Sequence, residues 1–452
     1  MDKIRKNALK GRNLLVTGGA GTGKSYAAKQ LAMDLQDPVT GRVVALTATT
    51  GTAAYIIGGV TLHSFAAFKP SYDDWTAEEI YATISCNLDV HKRYNETDTL
   101  IVDEVSMLHA KLFIKLNDVF KLMRESDEPF GGMQVVFFAD FFQLPPVVRG
   151  NVPRNEPLYM FETDEFNEII DNIHVLTTIH RQTDSADINV LNKIRVGIID
   201  KDVRSKISEC IDRELSTELD IEPTRLFSKN AKVAKFNKER LDQLTTAEYN
   251  FYAIDTVTVY KNLEGNKELT DVDRYFAYKK RNDQLTAMFK DITMDEIISL
   301  KVGAHVVLLK NINVSAGLVN GSIGVVTAVV DDGKVPIVDF VCGCKNVRIE
   351  PFSNELEVRD TGKITRKQIP LKLAFALSIH KSQGMTLDYV ETSLTASEIF
   401  TYGQVYVALS RIRNLDSLRL TGFSRNVQFA DPRVLRFYKS ILPNDPLLNA
   451  KK

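Results

Sequence analysis

Short apolar runs and helix-like stretches take turns along the first third of the chain. Leu14–Thr17, Val43–Thr47, Thr99–Val102, Gln134–Ala139 and His174–Thr177 read as buried strands. Between them lie amphipathic segments, the clearest over 104–126, where Leu108, Leu112, Leu116, Val119 and Met123 recur at helical spacing. This alternation predicts an α/β fold with a parallel sheet covered on both faces. Residues 68–97 break it: they are polar, weak in strand signals, and hold the single tryptophan, Trp75. They read as a small insertion.

A second α/β unit is predicted from about residue 179, with strands at Arg225–Phe227, Leu373–Ser378, Tyr389–Ser393 and Ser417–Leu420. Ala304–Leu309, Ile323–Val330, Pro336–Val341 and Val347–Ile349 are β-branched and punctuated by turn residues, the pattern of a small β-barrel inserted at about 297–370. Tyr252–Glu296 carries no clear pattern, and the tail after Pro443 is expected to fray.

Composition narrows the class. The chain has 452 residues, 44% hydrophobic and 25% charged, which is globular and long enough for several cores. No apolar run approaches the ~20 residues of a bilayer span, so no membrane partner is expected, and the N-terminus lacks a secretory apolar region. Four scattered cysteines point to a reducing intracellular compartment, and Cys342-Gly343-Cys344 has no neighbouring ligand cluster for zinc. A net charge of −1 leaves nucleic-acid binding to a local groove.

The chemistry is concentrated in a few runs. Gly18, Gly19, Ala20, Gly21, Thr22, Gly23, Lys24 and Ser25 follow the first strand and open a helix, the layout of a phosphate-binding loop. Its backbone N–H groups would cradle a nucleoside triphosphate, Lys24 would reach the β- and γ-phosphates, and the Ser25 hydroxyl suits Mg²⁺. The strand Leu100–Val102 ends in Asp103 and Glu104; Asp103 would share the Mg²⁺ and Glu104 would deprotonate an attacking water. Gln143, on a stiff turn before Pro145-Pro146, is placed to sense the γ-phosphate or its water.

Gly18–Ser25, Thr47–Ala54, Gly58–Phe65, Asp103–Met107, Asp140–Pro146, His180–Gln182, Pro223–Asn230, Leu318–Gly321, Ser378–Thr386 and Tyr406–Arg411 follow one another as in superfamily 1 helicases. The chain resembles the petite-integration-frequency (Pif) helicases in particular, relatives of the phage Dda and bacterial RecD-type motors. That resemblance spans about residues 14–438. It implies two RecA-like P-loop domains, 1–178 with a wedge insertion at about 68–97 and 179–452 with an SH3-like β-barrel insertion at about 297–370, and ATP between them. It implies that Arg181 and Arg411 act as arginine fingers beside the catalytic set Lys24, Asp103, Glu104 and Gln143. It further implies single-stranded DNA over Thr47, Thr49, Thr61, His63, Ser64 and Phe65 of the first domain and Ser378, His380, Lys381 and Ser382 of the second, with Tyr94 and Trp75 of the wedge as candidates to touch bases and Gln383 linking DNA to the ATP cleft.

The function so implied is an ATP-dependent 5′-to-3′ DNA helicase, a monomeric motor on single-stranded and forked DNA that works with replication, recombination or repair proteins. A translocase that remodels without separating strands is the alternative; a small-molecule phosphotransferase would leave Arg411 and the His380–Thr386 run without a task. The family's adenine-reading glutamine has no counterpart among the twelve residues before Asn13, so selectivity for adenine is expected to be relaxed and the chain is expected to be a bare motor core.

Overall fold

The computed structural model describes all residues except 37–39, 70–71, 73, 148–155, 216–221, 260–270, 293, 314–315, 359–361, 425–426, 428 and 451–452. The first unit is built on six parallel strands: β1 (Leu14–Gly18), β2 (Val44–Ala48), β3 (Val60–Thr61), β4 (Thr99–Asp103), β5 (Gln134–Ala139) and β6 (Asn172–Leu176). Their spatial order is β3-β2-β4-β5-β1-β6. Strands β1, β4 and β5 are buried at every position, which is why they read as unbroken apolar runs rather than alternating ones. The carboxyl ends of β1, β4 and β5 are neighbours, so their following loops converge on one place.

Two layers cover this sheet. Ile4, Ala28, Leu31 and Leu35 pack against Leu14, Val16, Ile101 and Val136 on one face. On the other, Phe113, Leu116, Val119, Phe120 and Met123 pack with Leu15, Leu100, Val135 and Phe137. The expected helix over 104–126 is interrupted: Glu104 has a positive φ of 56°, Val105–Met107 forms one tight turn, and His109 caps a helix that runs Ala110–Arg124. The left-handed backbone at Glu104 cannot continue a helix.

The insertion at 68–97 is helical, with Ala77–Ile84 entered through a Thr76–Glu79 capping box and Leu88–Glu96 capped by Asn87. Tyr94, a candidate either to touch bases or to pack, is fully buried, and its hydroxyl donates to the Ala66 carbonyl. Trp75 is half-buried and stacks on Tyr72. Both rings pack the insertion onto the first unit.

The second unit carries four parallel strands, ordered Ala376–Ser378, Thr224–Phe227, Val390–Leu394 and Leu418–Phe423. The expected strand Leu373–Ser378 splits. Leu371–Leu373 pairs with His305–Leu308 in an antiparallel five-stranded sheet, and the chain then turns at Ala374-Phe375 into the parallel sheet. The other members of that five-stranded sheet are Ile323–Val330, Val335–Phe340 and Val347–Arg348. Two separate antiparallel sheets accompany it: Glu248–Tyr252 pairs with Ile297–Lys301, and Gly362–Gln368 pairs on one side with Phe352–Val358 and on the other with Ile254–Val259. The unpatterned stretch thus holds the strand Ile254–Val259 and the helix Asp271–Ala287.

Two further differences concern the C-terminus. The tail does not fray at once: Asp445 caps a short helix, Pro446–Asn449, and Leu448 is buried. More consequentially, the helix Pro432–Ile441 leaves the second unit and joins the core of the first through Val434 and Tyr438. The boundary at 179–452 therefore assigns to the second unit a helix that packs with the first. Among the described residues no helix is long and apolar enough to cross a membrane.

Candidate nucleotide site at the seam of the two units

The phosphate loop leaves β1 at Gly18, and the helix Lys24–Leu35 begins behind Gly23 at φ 82°. Lys24 is buried, and its ammonium donates to the carbonyls of Gly18 at 2.9 Å and Gly19 at 3.0 Å. Burial lowers its pKa, against the pull of Asp140, Glu104 and Asp103. Gly21, at φ 76°, could not carry a side chain: a Cβ there would stand 2.7 Å from Arg181 Cβ. The loop is thus pressed against the segment that follows β6, and His180 N–H donates to the Gly21 carbonyl at 2.8 Å.

Asp103 and Glu104 sit beside it at the end of β4. Asp103 is fully buried, and its pKa is pushed up to about 7 by burial first and by the Glu104 charge second; Ser25 and the Glu104 backbone N–H act the other way. One carboxylate oxygen accepts from Glu104 N–H at 2.8 Å, and Oδ2 has no hydrogen-bond partner. A buried oxygen without a partner, with the Ser25 hydroxyl next to it, fits the donor set of Mg²⁺.

The rest of the site comes from outside the first sheet. Gln383 Nε2 donates to Glu104 Oε2 at 3.0 Å. Arg181 donates to the Ser410 carbonyl at 2.7 Å, and burial, then the nearby charge of Arg411, lowers its pKa to about 9. Arg411 is 1% exposed; its Nε donates to Val407 O at 2.8 Å and its Nη2 to Ser410 Oγ at 2.7 Å. Burial depresses its pKa, while Glu104, Tyr406 and Asp140 favour its charge. Lys24 and Arg411 thus share the field of Glu104 and Asp140. The Tyr406 hydroxyl accepts from the Ala20 N–H of the loop at 2.7 Å. A cavity of about 520 Å³ opens next to the loop, lined by Thr22, Gly23, Tyr26, Leu176, Thr178 and His180 among others.

The residues expected along DNA fall into two groups. His380 is half-buried and Lys381 exposed, with the Lys381 pKa lowered by Lys372 and then by burial. His63 is partly exposed. The others are engaged within the protein. Thr47 is buried and donates to Ile101 O at 2.9 Å; Thr49 donates to Glu104 O at 2.7 Å. Thr61 caps the helix Leu62–Ala66 by accepting from Ser64 N–H, and its hydroxyl also meets Ser64 Oγ at 2.8 Å. Ser378 and Ser382 are buried in the turn before Gln383, where Ser378 Oγ accepts from Lys381 N–H and Ser382 Oγ donates to Ile379 O. Phe65 is a correction: it is 5% exposed and stacks with Tyr94 and Phe120, so its ring belongs to the core and offers no face to a base.

Comparison with known proteins agrees with the fold. A family model described as PIF1-like helicase matches residues 1–200, and one for the 2B domain of DNA helicase Pif1 matches 294–329. The crystal structure of Pif1 helicase from Candida albicans superposes with a TM-score of 0.72 at 33% identity, over 97% of this chain and 98% of that one. The chain belongs to the Pif1-like helicase family. Another Pif1-like helicase structure, from Bacteroides in complex with ADP-AlF3 and ssDNA, matches with a TM-score of 0.62 at 28% identity, over 99% and 97% of the two chains. The human ATP-dependent DNA helicase PIF1 is 36% identical over 441 residues, covering 97% of this chain. The chain spans 63% of the length of that curated Pif1-like relative.

Sequence reasoning alone did not single out Tyr406 or Arg195 as site residues. Tyr406 lies inside a recognised run, and its spacing from the loop is purely tertiary. Arg195 ends an ordinary amphipathic helix, Ser185–Arg195, and carries no local signal.

Proposed function

We propose that this chain is an ATP-hydrolysing DNA helicase motor that moves 5′-to-3′ along single-stranded DNA and separates duplexes at a fork. The observation that carries the reading is the convergence of Arg181, Gln383 and Arg411 on the phosphate loop and Glu104 of the first sheet. A phosphoryl-transfer site built across two units hydrolyses fastest when they close, so turnover and domain motion become one event. The names of the relatives and the nucleotide and ssDNA of the Bacteroides complex support it.

In this mechanism the loop N–H groups and Lys24 hold the triphosphate, with Asp103 and Ser25 as the residues that would hold Mg²⁺, whose charge offsets that of the phosphates. Glu104 takes the proton of the attacking water, and Gln143 orients that water. Arg181 and Arg411 place positive charge where negative charge grows in the transition state; Arg411 is buried and Arg181 half-buried, so solvent screens the effect only weakly. Gln383 follows the Ser378–Ser382 turn on which the exposed Lys381 would meet a DNA phosphate. A shift of that turn on DNA binding would release Glu104 from Gln383, which is a direct route from strand to water.

The test is ATP turnover with and without single-stranded oligonucleotide, followed by fork unwinding with a tail of either polarity. Turnover is expected to rise with the oligonucleotide and unwinding to require the 5′ tail. Lys24→Ala is expected to abolish hydrolysis and keep DNA binding. Turnover indifferent to DNA, or normal turnover by the Lys24 variant, would refute the assignment; DNA-stimulated turnover without unwinding would favour a translocase.

A further inference from the structure

Arg195 lies outside every motif discussed so far, yet its guanidinium reaches the centre of the site. Its Nε is 3.8 Å from where a Cβ on Gly19 would stand. Nε and Nη2 both donate to Asp140 Oδ1, at 3.2 and 2.7 Å. The guanidinium stands 4.5 Å from the ring centre of Phe142 and 5.2 Å from that of Tyr438. Burial works against the charge of Asp140, but Arg195 and Lys24 outweigh it and hold the carboxyl below its usual pKa. Asp140 is therefore an ion that only accepts hydrogen bonds.

That fact fixes the next residue. Asp140 Oδ2 accepts from Gln143 Nε2 at 3.1 Å, so the amide nitrogen must face Asp140 and the amide oxygen must face away. Gln143 Oε1 is buried and has no hydrogen-bond partner. Its backbone is clamped as well: a Cβ on Gly403 would stand 2.1 Å from the Gln143 carbonyl oxygen, so the second unit presses on this turn. Unpaired buried acceptors are rare because they are costly, and one on a side chain bound to Asp140, whose charge acts on Lys24 of the phosphate loop, has a donor in the attacking water.

We propose that Arg195 is a positioning residue for hydrolysis: through Asp140 it sets the orientation of the Gln143 amide, so that the oxygen rather than the nitrogen is presented to the water. The inference rests on the proposed ATPase function. A lysine at 195 keeps the charge but loses the flat fork that meets one oxygen from two nitrogens while lying against two rings. An asparagine at 140 keeps the shape but can donate as well as accept, so the Gln143 amide loses its reason to choose one face.

The experiment measures kcat and KM for ATP at saturating single-stranded oligonucleotide, binding of a fluorescent ADP analogue, and thermal melting. It compares wild type, Arg195→Lys, Gln143→Ala and the double variant. Arg195→Lys is expected to lower kcat by about 10²-fold, the scale of an ångström of misplacement, with KM and ADP binding nearly unchanged. In the Gln143→Ala background the same change is expected to lower kcat no further, because the residue acts through that amide. A wild-type kcat in Arg195→Lys, or an equal loss in both backgrounds, would overturn the proposal. If Arg195→Lys melts before assay temperature, Asp140→Asn takes its place in the cycle with the same expected and overturning results. A wild type whose turnover ignores DNA would instead remove the proposed function, and this inference with it.

Discussion

Asp103 shows how a single residue trades stability for chemistry. Its raised pKa means that the folded protein keeps a proton which the unfolded chain loses near the usual carboxyl value. From about pH 4 up to about pH 7 the unfolded state therefore binds fewer protons than the native one, and stability falls as pH rises through that window. Asp103→Asn removes the effect. In the absence of nucleotide and divalent cation, the variant is expected to melt about 2 °C or more above wild type near pH 8, with the gap closing toward pH 4, while hydrolysis is lost. Melting at or below wild type near pH 8 would contradict this account. Arg411 makes a related case with opposite charge. It is buried and has no ion pair among the described residues, so the fold does not depend on it to neutralise a carboxylate. Arg411→Ala is expected to cut kcat by about 10³ in single-turnover measurements with nucleotide binding nearly retained; an unchanged rate would take Arg411 out of the site.

At the scale of elements, the segment Gly58–Phe65 packs rather than reads. Thr61 spends its hydroxyl on the cap, and Phe65 stacks into the aromatic core with Tyr94 and Phe120. Phe65→Ala is expected to cost about 3–5 kcal/mol in denaturant unfolding; full stability with weakened DNA affinity would restore a base-stacking role. Elements buried on both faces were the legible ones. Leu14–Gly18, Thr99–Asp103 and Gln134–Ala139 announce themselves because their central positions are continuously apolar, and the phosphate loop and Asp103-Glu104 follow directly from those strand ends. The stretch around Ile254–Val259 stayed silent because most of its positions are exposed and it owes its shape to pairing with residues 362–368. Tyr94 stayed ambiguous for a physical reason: an aromatic within a polar helix looks available until the neighbouring elements close over it. Arg195 had no local pattern at all, since its partners Asp140 and Tyr438 lie 55 and 243 positions away.

For the whole molecule, the insertion at 68–97 and the helix Asp271–Ala287 are joined by an ion pair between Asp89 and Arg281, and Asn87 Nδ2 donates a weaker contact to Gln284 Oε1 across the same boundary. Arg93, one turn beyond Asp89, is buried with no hydrogen-bond partner and rests on the Phe65 ring. If Arg281 is removed, Asp89 has a second guanidinium at i+4 to turn to; if Asp89 is removed, two arginines lose their shared carboxylate. Asp89→Ala is therefore expected to lower the melting temperature more than Arg281→Ala does, and the reverse order would rule out this exchange.

The helix Pro432–Ile441 has a mechanical corollary. Because the chain returns to its starting lobe after visiting the other, the polypeptide crosses between them twice, once after Leu176 and again ahead of the helix Pro432–Ile441. A single crossing would leave a tether free to swing in any direction. Two crossings behave like the paired pins of a door: the lobes can pivot about the line through both, but twisting or sliding apart is resisted by the covalent chain, so each opening retraces the same short arc.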